Sequence, residues 1–314
     1  MKHWYKLICR KEDLQLKGTL NGGQSFRWTK IDDEEKWIGI FNNKVWVLKQ
    51  NENEILYMVY ESEKSTNMQK GFESKNEVFN DMLIDYFQLN LNLKDYYKRW
   101  SEADPIFAKA AKQFYGIRIL KQEVTENIFS FICSSNNNIS RITSMVNKLA
   151  TFYGEKICEL DGETYYSFPD VEVLARGDVE AKLRANGFGY RSKYINESAK
   201  FIMQNGGNRW FDDLKKCDYI DAKTCLMKLN GVGAKVADCI CLMSLGHLEA
   251  LPVDTHVYQI ASKFYMPQLS TRKTVTDKIY NDIGNHFREL YGPLAGWAHT
   301  ILFCADLKKF QEDS

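Results

Sequence analysis

The chain has 314 residues, a formal net charge of +1, 44% hydrophobic residues and 13% aromatic residues. That length suits one large or two modest domains, and the apolar content excludes a mainly disordered chain. No stretch approaches the roughly 20 apolar residues of a spanning helix, and the first residues lack a signal-peptide pattern. We therefore expect a cytoplasmic protein without membrane contact, and the abundance of Lys, Asn, Ile and Tyr favours a bacterial nucleoid over a nucleus.

The first hundred residues have the pattern of strands. Short runs of aromatic and β-branched residues, separated by turn-like FNNK and QNEN, predict an antiparallel meander at 37–43, 44–50 and 54–61. From Pro105 onward, apolar residues recur at three- and four-residue spacing, which predicts a long series of helices. The pattern predicts an α+β protein with a β-rich N-terminal domain (1–112) and an all-helical domain (113–314).

The eight cysteines form no CxxC pair and show no spacing typical of a zinc site. An iron–sulfur cluster needs four neighbouring cysteines, and after Cys241 only Cys304 follows. Several cysteines lie in apolar segments, as buried free thiols of a reducing compartment do. We expect neither a metal nor another cofactor.

The segment KLNGVGAKVADCICLM (228–243) has the pattern of two helices joined by a tight glycine turn. Gly231 and Gly233 permit positive φ and leave backbone N–H groups bare. Those groups and the N-terminus of the second helix suit a DNA phosphate. An ordinary αα-hairpin has the same glycine pattern, so the motif alone leaves both interpretations open.

Lys235 falls in the first turn of that second helix, at the positive end of its dipole. The position disfavours the ammonium form and favours the neutral, nucleophilic amine. Cys239 lies one turn later on the same face. Asp254 precedes an apolar helical pattern, where aspartate is usually an N-cap. If its loop folds back onto the hairpin, the same carboxylate faces the lysine.

The hairpin, the loop after it and the aspartate resemble those of the helix–hairpin–helix DNA glycosylase superfamily. Four more segments resemble 8-oxoguanine DNA glycosylases in particular: NGGQSFRW, FSFICSSNNNISRI, GFGYRSKYI and GPLAGWAHTILFCADL. These segments occur in the family's order between residues 21 and 307. The resemblance implies an antiparallel sheet like that of the TATA-binding protein, followed by a helix–hairpin–helix glycosylase domain. It also implies a monomer that acts on double-stranded DNA containing 8-oxoguanine.

The family's reaction begins with a base flipped out of the duplex. The resemblance implies that Lys235 attacks C1′ of the sugar, that the base leaves and a Schiff base forms, and that β-elimination nicks the strand. Asp254 is implied to stabilise positive charge on the sugar and to help deprotonate the lysine. The predicted function is that of a bifunctional glycosylase and AP lyase for 8-oxoguanine opposite cytosine.

The resemblance also implies a pocket for the flipped base. The backbone carbonyl of Gly23 would accept a hydrogen bond from N7–H, which 8-oxoguanine has and guanine lacks. The base would stack between Cys239 and Phe303. His299 stands where the eukaryotic enzymes carry a glutamine, and as a neutral ring it would offer an acceptor to the base. With an ordinary pKa near 6.5, its protonation would weaken binding between about pH 5.5 and 7.5.

Residues outside the pocket are implied to contact the DNA around the lesion. Asn136 would fill the gap left by the base, Tyr190 would wedge into the stack, and Arg141 and Arg191 would hold the estranged cytosine. His256 matches a phosphate contact, as the hairpin glycines Gly231 and Gly233 do.

Two other functions remain open from the sequence. A glycosylase for alkylated purines shares the fold but needs no lysine nucleophile, so Lys235 and the GGQSFRW segment argue against it. A non-catalytic DNA-binding module would use the hairpin as a phosphate clamp. It gives no reason for Lys235 and Asp254 to occur together at the family's positions.

Overall fold

A computed structural model describes residues 3–31, 35–62, 72–269 and 275–312. The described residues form an antiparallel sheet in the N-terminal third and a larger helical region after it. The predicted α+β fold class is confirmed. No helix in these ranges combines the length and the apolar character needed to cross a bilayer.

The N-terminal sheet has five strands, which are β1 (Tyr5–Ile8), β2 (Trp28–Ile31), β3 (Lys36–Phe41), β4 (Lys44–Gln50) and β5 (Glu54–Tyr60). They are antiparallel and lie in the order β1-β5-β4-β3-β2. The predicted meander corresponds to β3, β4 and β5. Asn42 and Asn43 both have positive φ, as a two-residue turn between twisted strands requires. Both edge strands escaped prediction because four residues are too few to show alternation.

Fifteen α-helices lie in the described residues. They are α1 (Leu16–Leu20), α2 (Phe72–Tyr86), α3 (Leu93–Ala103), α4 (Pro105–Ala111), α5 (Val124–Ser134), α6 (Ile139–Tyr153), α7 (Val171–Leu174), α8 (Val179–Ala185), α9 (Arg191–Gln204), α10 (Asn208–Leu214), α11 (Tyr219–Leu226), α12 (Ala234–Ile240), α13 (Thr255–Ile260), α14 (Asp277–Tyr291) and α15 (Ala295–Glu312). Single π-helical turns extend α12 to Leu245 and α13 to Tyr265.

The prediction that the second domain is helical throughout is wrong in one place. A hairpin of β6 (Lys156–Leu160) and β7 (Glu163–Tyr166) separates α6 from α7. Its turn is Asp161-Gly162, with positive φ at both residues, which is the favoured chemistry for a two-residue hairpin. The hairpin packs its apolar side against the outer face of the N-terminal sheet and so ties the two parts of the chain together.

The helical region is built around one large apolar core. α3 and α4 contribute Leu93, Trp100 and Phe107 to this core, although they precede most of the helical series. Leu120 belongs instead to the cluster between the sheet and α2. The two regions therefore interleave near residue 112, and the predicted domain boundary there stays a prediction.

Candidate active site

The glycine turn joins α11 to α12, which begins at Ala234 as the sequence predicted. Gly231 has φ +81, and a Cβ there would lie 2.5 Å from the ring of Tyr194. Glycine is therefore required both by conformation and by space. Gly233 has φ −92, so it does not use the positive φ that glycine permits. Its lack of a side chain instead leaves the N-terminus of α12 open, with no atom within 4 Å of a built Cβ.

Lys235 is the second residue of α12 and is half-buried. Val236 and Ala237 behind it are buried in the core and fix the orientation of this first turn. The Lys235 Nζ atom lies 5.1 Å from the centroid of the Phe131 ring on α5. Lys235 forms no ion pair with any carboxylate of the described residues. The amine is thus held at the helix N-terminus without a salt-bridge partner.

Asp254 is the N-cap of α13, and its Oδ1 atom accepts a hydrogen bond of 2.9 Å from the Val257 N–H. The carboxylate is half-buried and lines the same cavity as Lys235, with a volume of about 70 Å³. The loop does fold back towards the hairpin. Asp254 is therefore both a helix cap and a neighbour of the lysine.

The cavity collects all four residues predicted to bind the base, which are Gly23, Cys239, His299 and Phe303. They come from the turn after α1, from α12 and from α15, so only the folded chain brings them together. Gly23 has φ +69 and no atom within 4 Å of a built Cβ, which leaves its backbone open to a ligand.

Gln24 holds the glycine turn in place. Its side chain is 1% exposed; it donates to the Arg118 carbonyl at 2.8 Å and accepts from the Leu120 N–H at 2.9 Å. The Gln24 carbonyl also accepts from the Gln122 side chain at 2.7 Å. Gln122 in turn donates its backbone N–H to Met243, in the π-helical turn after α12. These bonds link Gly23 to the helix that carries Lys235.

Burial keeps two cavity side chains neutral near pH 7. It lowers the pKa of His299 to about 4, against the opposing charge of Asp254. It raises the pKa of the Cys239 thiol to about 11, although Lys235 acts in the other direction. Neither ring nitrogen of His299 has a hydrogen-bond partner in the described part of the chain. His299 is therefore a neutral ring with a free acceptor position.

A second group of predicted residues meets between α5, α6 and α9. Asn136 has φ +47, and its carbonyl accepts a hydrogen bond of 3.0 Å from Arg191. Tyr190 is 45% exposed and donates to the Ser135 carbonyl at 3.1 Å. Arg191 is only 3% exposed and also donates to Ser135. Its guanidinium therefore fixes the shape of the loop formed by residues 136–138, the asparagine loop.

Arg141 and His256 lie beside this region and the cavity, respectively. Arg141 is exposed and donates to the Gly187 carbonyl at 3.2 Å. The His256 ring is 5.8 Å from the Phe303 ring. No cluster of three His, Cys, Asp or Glu side chains able to hold a metal occurs in the described residues.

Comparison with known proteins identifies the family. The sequence-family model of the 8-oxoguanine DNA glycosylase N-terminal domain matches residues 6–128. The family model of the HhH-GPD superfamily base excision DNA repair protein matches residues 129–284. The chain is 35% identical over 308 residues to N-glycosylase/DNA lyase OGG1 of Arabidopsis thaliana, covering 97% of this chain and 80% of that one. The chain belongs to the 8-oxoguanine DNA glycosylase family.

Two further proteins are similar to this glycosylase over nearly its whole length. The N-glycosylase/DNA lyase of Saccharomyces cerevisiae is 38% identical in an alignment of 342 positions, which covers 96% of this chain and 86% of that one. The 8-oxoguanine glycosylase/lyase of Clostridium acetobutylicum, in complex with double-stranded DNA containing cytosine opposite 8-oxoguanine, has a TM-score of 0.82. It is 29% identical and covers 99% of this chain and 98% of that one.

Several residues that line the glycosylase cavity were not predicted from the sequence, and Phe131, beneath Lys235, and Gln24 are two of them. Phe131 is otherwise an ordinary apolar position of α5, so only the fold shows its contact with the lysine. Arg27 of the GGQSFRW segment lies elsewhere: it is 6% exposed and donates to the Tyr166 carbonyl of β7. Part of that segment therefore serves the fold and not the cavity.

Proposed function

We propose that this chain removes 8-oxoguanine opposite cytosine from duplex DNA and then nicks the strand by β-elimination. One observation carries the proposal. A half-buried lysine in the first turn of α12 lines the same cavity as Asp254, and no ion pair joins them. The curated relatives are named N-glycosylase/DNA lyase, which is the same pair of activities.

In the first step, the Nζ lone pair of Lys235 attacks C1′ of the sugar. The bond from C1′ to the base breaks, and the base leaves with that electron pair and takes up the proton that Nζ releases. Asp254 lies where its negative charge opposes the positive charge that develops on the sugar.

In the second step, the C1′–O4′ bond breaks, O4′ takes up the remaining Nζ proton, and C1′ and Nζ form the C=N bond of a Schiff base. Water then removes a proton from C2′, and the bond from C3′ to the 3′ phosphate oxygen breaks, which nicks the strand. Hydrolysis of the Schiff base returns the free lysine. Every step uses groups of this chain, the substrate and water.

Recognition of the base rests on the open backbone at Gly23 and on the neutral His299 ring. A base edge can approach Gly23 because no side chain covers it. The N7–H of 8-oxoguanine donates to the glycine carbonyl, whereas N7 of guanine repels it. The free acceptor of His299 suits N1–H or the 2-amino group of the same base. Cys239 and Phe303 supply the faces for stacking.

Single-turnover assays test the proposed activity. The protein is incubated with duplexes carrying 8-oxoguanine opposite cytosine, guanine opposite cytosine, or an alkylated purine, and both base release and strand nicking are measured. We expect both products from the 8-oxoguanine duplex and neither from the guanine duplex. Release of the alkylated purine without release of 8-oxoguanine would favour the alternative glycosylase. The cytoplasmic location and the monomeric state stay predictions.

A further inference from the structure

Asp238 lies one turn after Lys235 on α12 and is fully buried. Three side chains bind its carboxylate. Tyr219 donates to Oδ1 at 2.7 Å, Lys223 to Oδ2 at 2.8 Å, and Tyr280 to Oδ2 at 2.5 Å. The buried negative charge is therefore neutralised by Lys223 and satisfied by two hydroxyl groups. It lies outside the residues that line the cavity.

Tyr280, on α14, extends this cluster to the loop before Asp254. Its hydroxyl oxygen accepts a hydrogen bond of 3.2 Å from the Val253 N–H. The hydroxyl has one proton, and the short contact with Asp238 takes it, so the Leu251 carbonyl at 3.4 Å is a secondary neighbour. Burial and the charge of Asp238 both raise the pKa of Tyr280, which keeps that proton on the hydroxyl.

The result is a short chain of hydrogen bonds between the helix that carries Lys235 and the loop that carries Asp254. It runs from Asp238, one turn from Lys235, through Tyr280 to the backbone N–H of Val253, the residue before Asp254. Val253 is 5% exposed, so water cannot readily replace Tyr280 as its acceptor. Any movement of the loop relative to α12 must break or stretch one of these bonds.

We propose that Asp238 and Tyr280 are positioning residues, which set the place of Asp254 relative to Lys235. The inference rests on the proposed function, because it concerns the rate of base release. Misplacement of a reacting group by about 1 Å can cost on the order of a hundredfold in rate. Neither residue touches the cavity, so their effect passes entirely through the loop and the helix.

The chain offers a closely matched control in Tyr219. Tyr219→Phe and Tyr280→Phe each remove one hydroxyl donor from the same buried carboxylate. Of the two, Tyr280 alone bonds to the loop that carries Asp254. We expect Tyr280→Phe to slow single-turnover base release by on the order of tenfold to a hundredfold. Tyr219→Phe should slow it less than about threefold, and neither should change lesion affinity by more than that.

A double-mutant cycle separates positioning from a general loss of stability. If Tyr280 acts through Asp254, Tyr280→Phe should have almost no further effect on the rate in the Asp254→Asn protein. An equal slowing in both backgrounds would overturn the proposal, as would equal effects of Tyr280→Phe and Tyr219→Phe. Should Tyr280→Phe fail to fold, Asp238→Asn takes its place in the same cycle. Absence of base release by the unaltered protein would instead refute the proposed function.

Discussion

α12 carries a lysine and an aspartate one turn apart in opposite environments. Lys235 is half-buried, lines a cavity and has no ion-pair partner among the described residues. Asp238 is fully buried and is bound by Tyr219, Lys223 and Tyr280. The same short helix thus holds a lysine without an ion-pair partner and an aspartate whose carboxylate is bound by three side chains.

The difference separates the residues that react from those that hold them. A buried carboxylate without partners strongly destabilises the folded state, so Asp238 is tolerated only because its partners surround it. Such a saturated cluster is rigid and has nothing left to offer a substrate. Lys235, Asp254 and His299 keep free lone pairs or charges facing the cavity, which is what a flipped base and its sugar require.

The largest effect should come from changing Lys235, in the first turn of α12. We expect Lys235→Gln to bind the lesion and to abolish base release, because an amide supplies no nucleophilic lone pair. Single-turnover release from the 8-oxoguanine:cytosine duplex measures this. Lys112→Gln, at an exposed lysine beyond α4, is the control and should retain full activity. Base release by Lys235→Gln would place the nucleophile elsewhere.

Asp254 tests whether a capping residue also takes part in the chemistry. Asp254→Asn should slow base release by on the order of a hundredfold or more, because it removes the charge that opposes the developing cation. Its unfolding free energy should barely change, since asparagine caps helices as well as aspartate does. Asp254→Ala should lose activity and also about 0.5–2 kcal/mol of stability. A fully active asparagine variant would leave only the capping role shown by the Val257 bond.

The two arginines near the asparagine loop should have the same effect on specificity but different effects on stability. Arg141→Ala and Arg191→Ala should both relax the preference for cytosine opposite the lesion, by about 1–3 kcal/mol of discrimination. Arg141 is exposed, so its loss should change stability by less than about 0.5 kcal/mol. Arg191 is buried and bonds two loop carbonyls, so its loss should also destabilise the fold. Excision from duplexes with C, A, G or T opposite the lesion checks the first effect, and an unchanged ranking would contradict it.

The smallest effect concerns the pH dependence of His299. Because burial lowers its pKa to about 4, lesion binding by the Lys235→Gln protein should be flat between about pH 5.5 and 7.5. The prediction that binding falls between about pH 5.5 and 7.5 is therefore wrong. The fall in binding that depends on His299 moves towards pH 4. His299→Gln should abolish that fall. Equal acid profiles of the two proteins would show that His299 does not contact the base.

The same residue should influence stability with a definite sign. The folded-state pKa lies below the unfolded value of about 6.5, so the unfolded chain takes up the proton first as the pH falls. Stability is therefore lost as the pH falls from about 6.5 towards 4, by up to about 1.4 kcal/mol for each pH unit. The unfolding free energy of His299→Gln should fall less over this range. Chemical denaturation over this pH range would measure the unfolding free energy of the unaltered protein and of His299→Gln.

Much of this architecture could be predicted from local patterns. The meander, the start of α12 and the placement of Lys235 follow from alternation, helical periodicity and glycine positions. The β6–β7 hairpin also had a local signal in Asp161-Gly162 between short β-type runs, but the helices around it obscured it. The edge strand β2 was too short to show one.

The contacts that complete the site could not be predicted in this way. Phe131 beneath Lys235 and Gln24 behind Gly23 depend on packing between distant segments. The lowered pKa of His299 depends on its burial, which no single segment specifies. The Asp238 cluster joins three helices, so nothing in the local sequence marks that aspartate as different from an exposed one.

Chemical trapping of the reaction intermediate tests the central claim most directly. The protein is incubated with an 8-oxoguanine:cytosine duplex and borohydride, which reduces a Schiff base to a stable amine, and the covalent adduct is digested and mapped by mass spectrometry. Attachment of the sugar to the peptide containing Lys235, with no adduct from Lys235→Gln, is the predicted result. An adduct on another lysine, or undiminished trapping by Lys235→Gln, would contradict the assignment of the nucleophile to the open turn of α12.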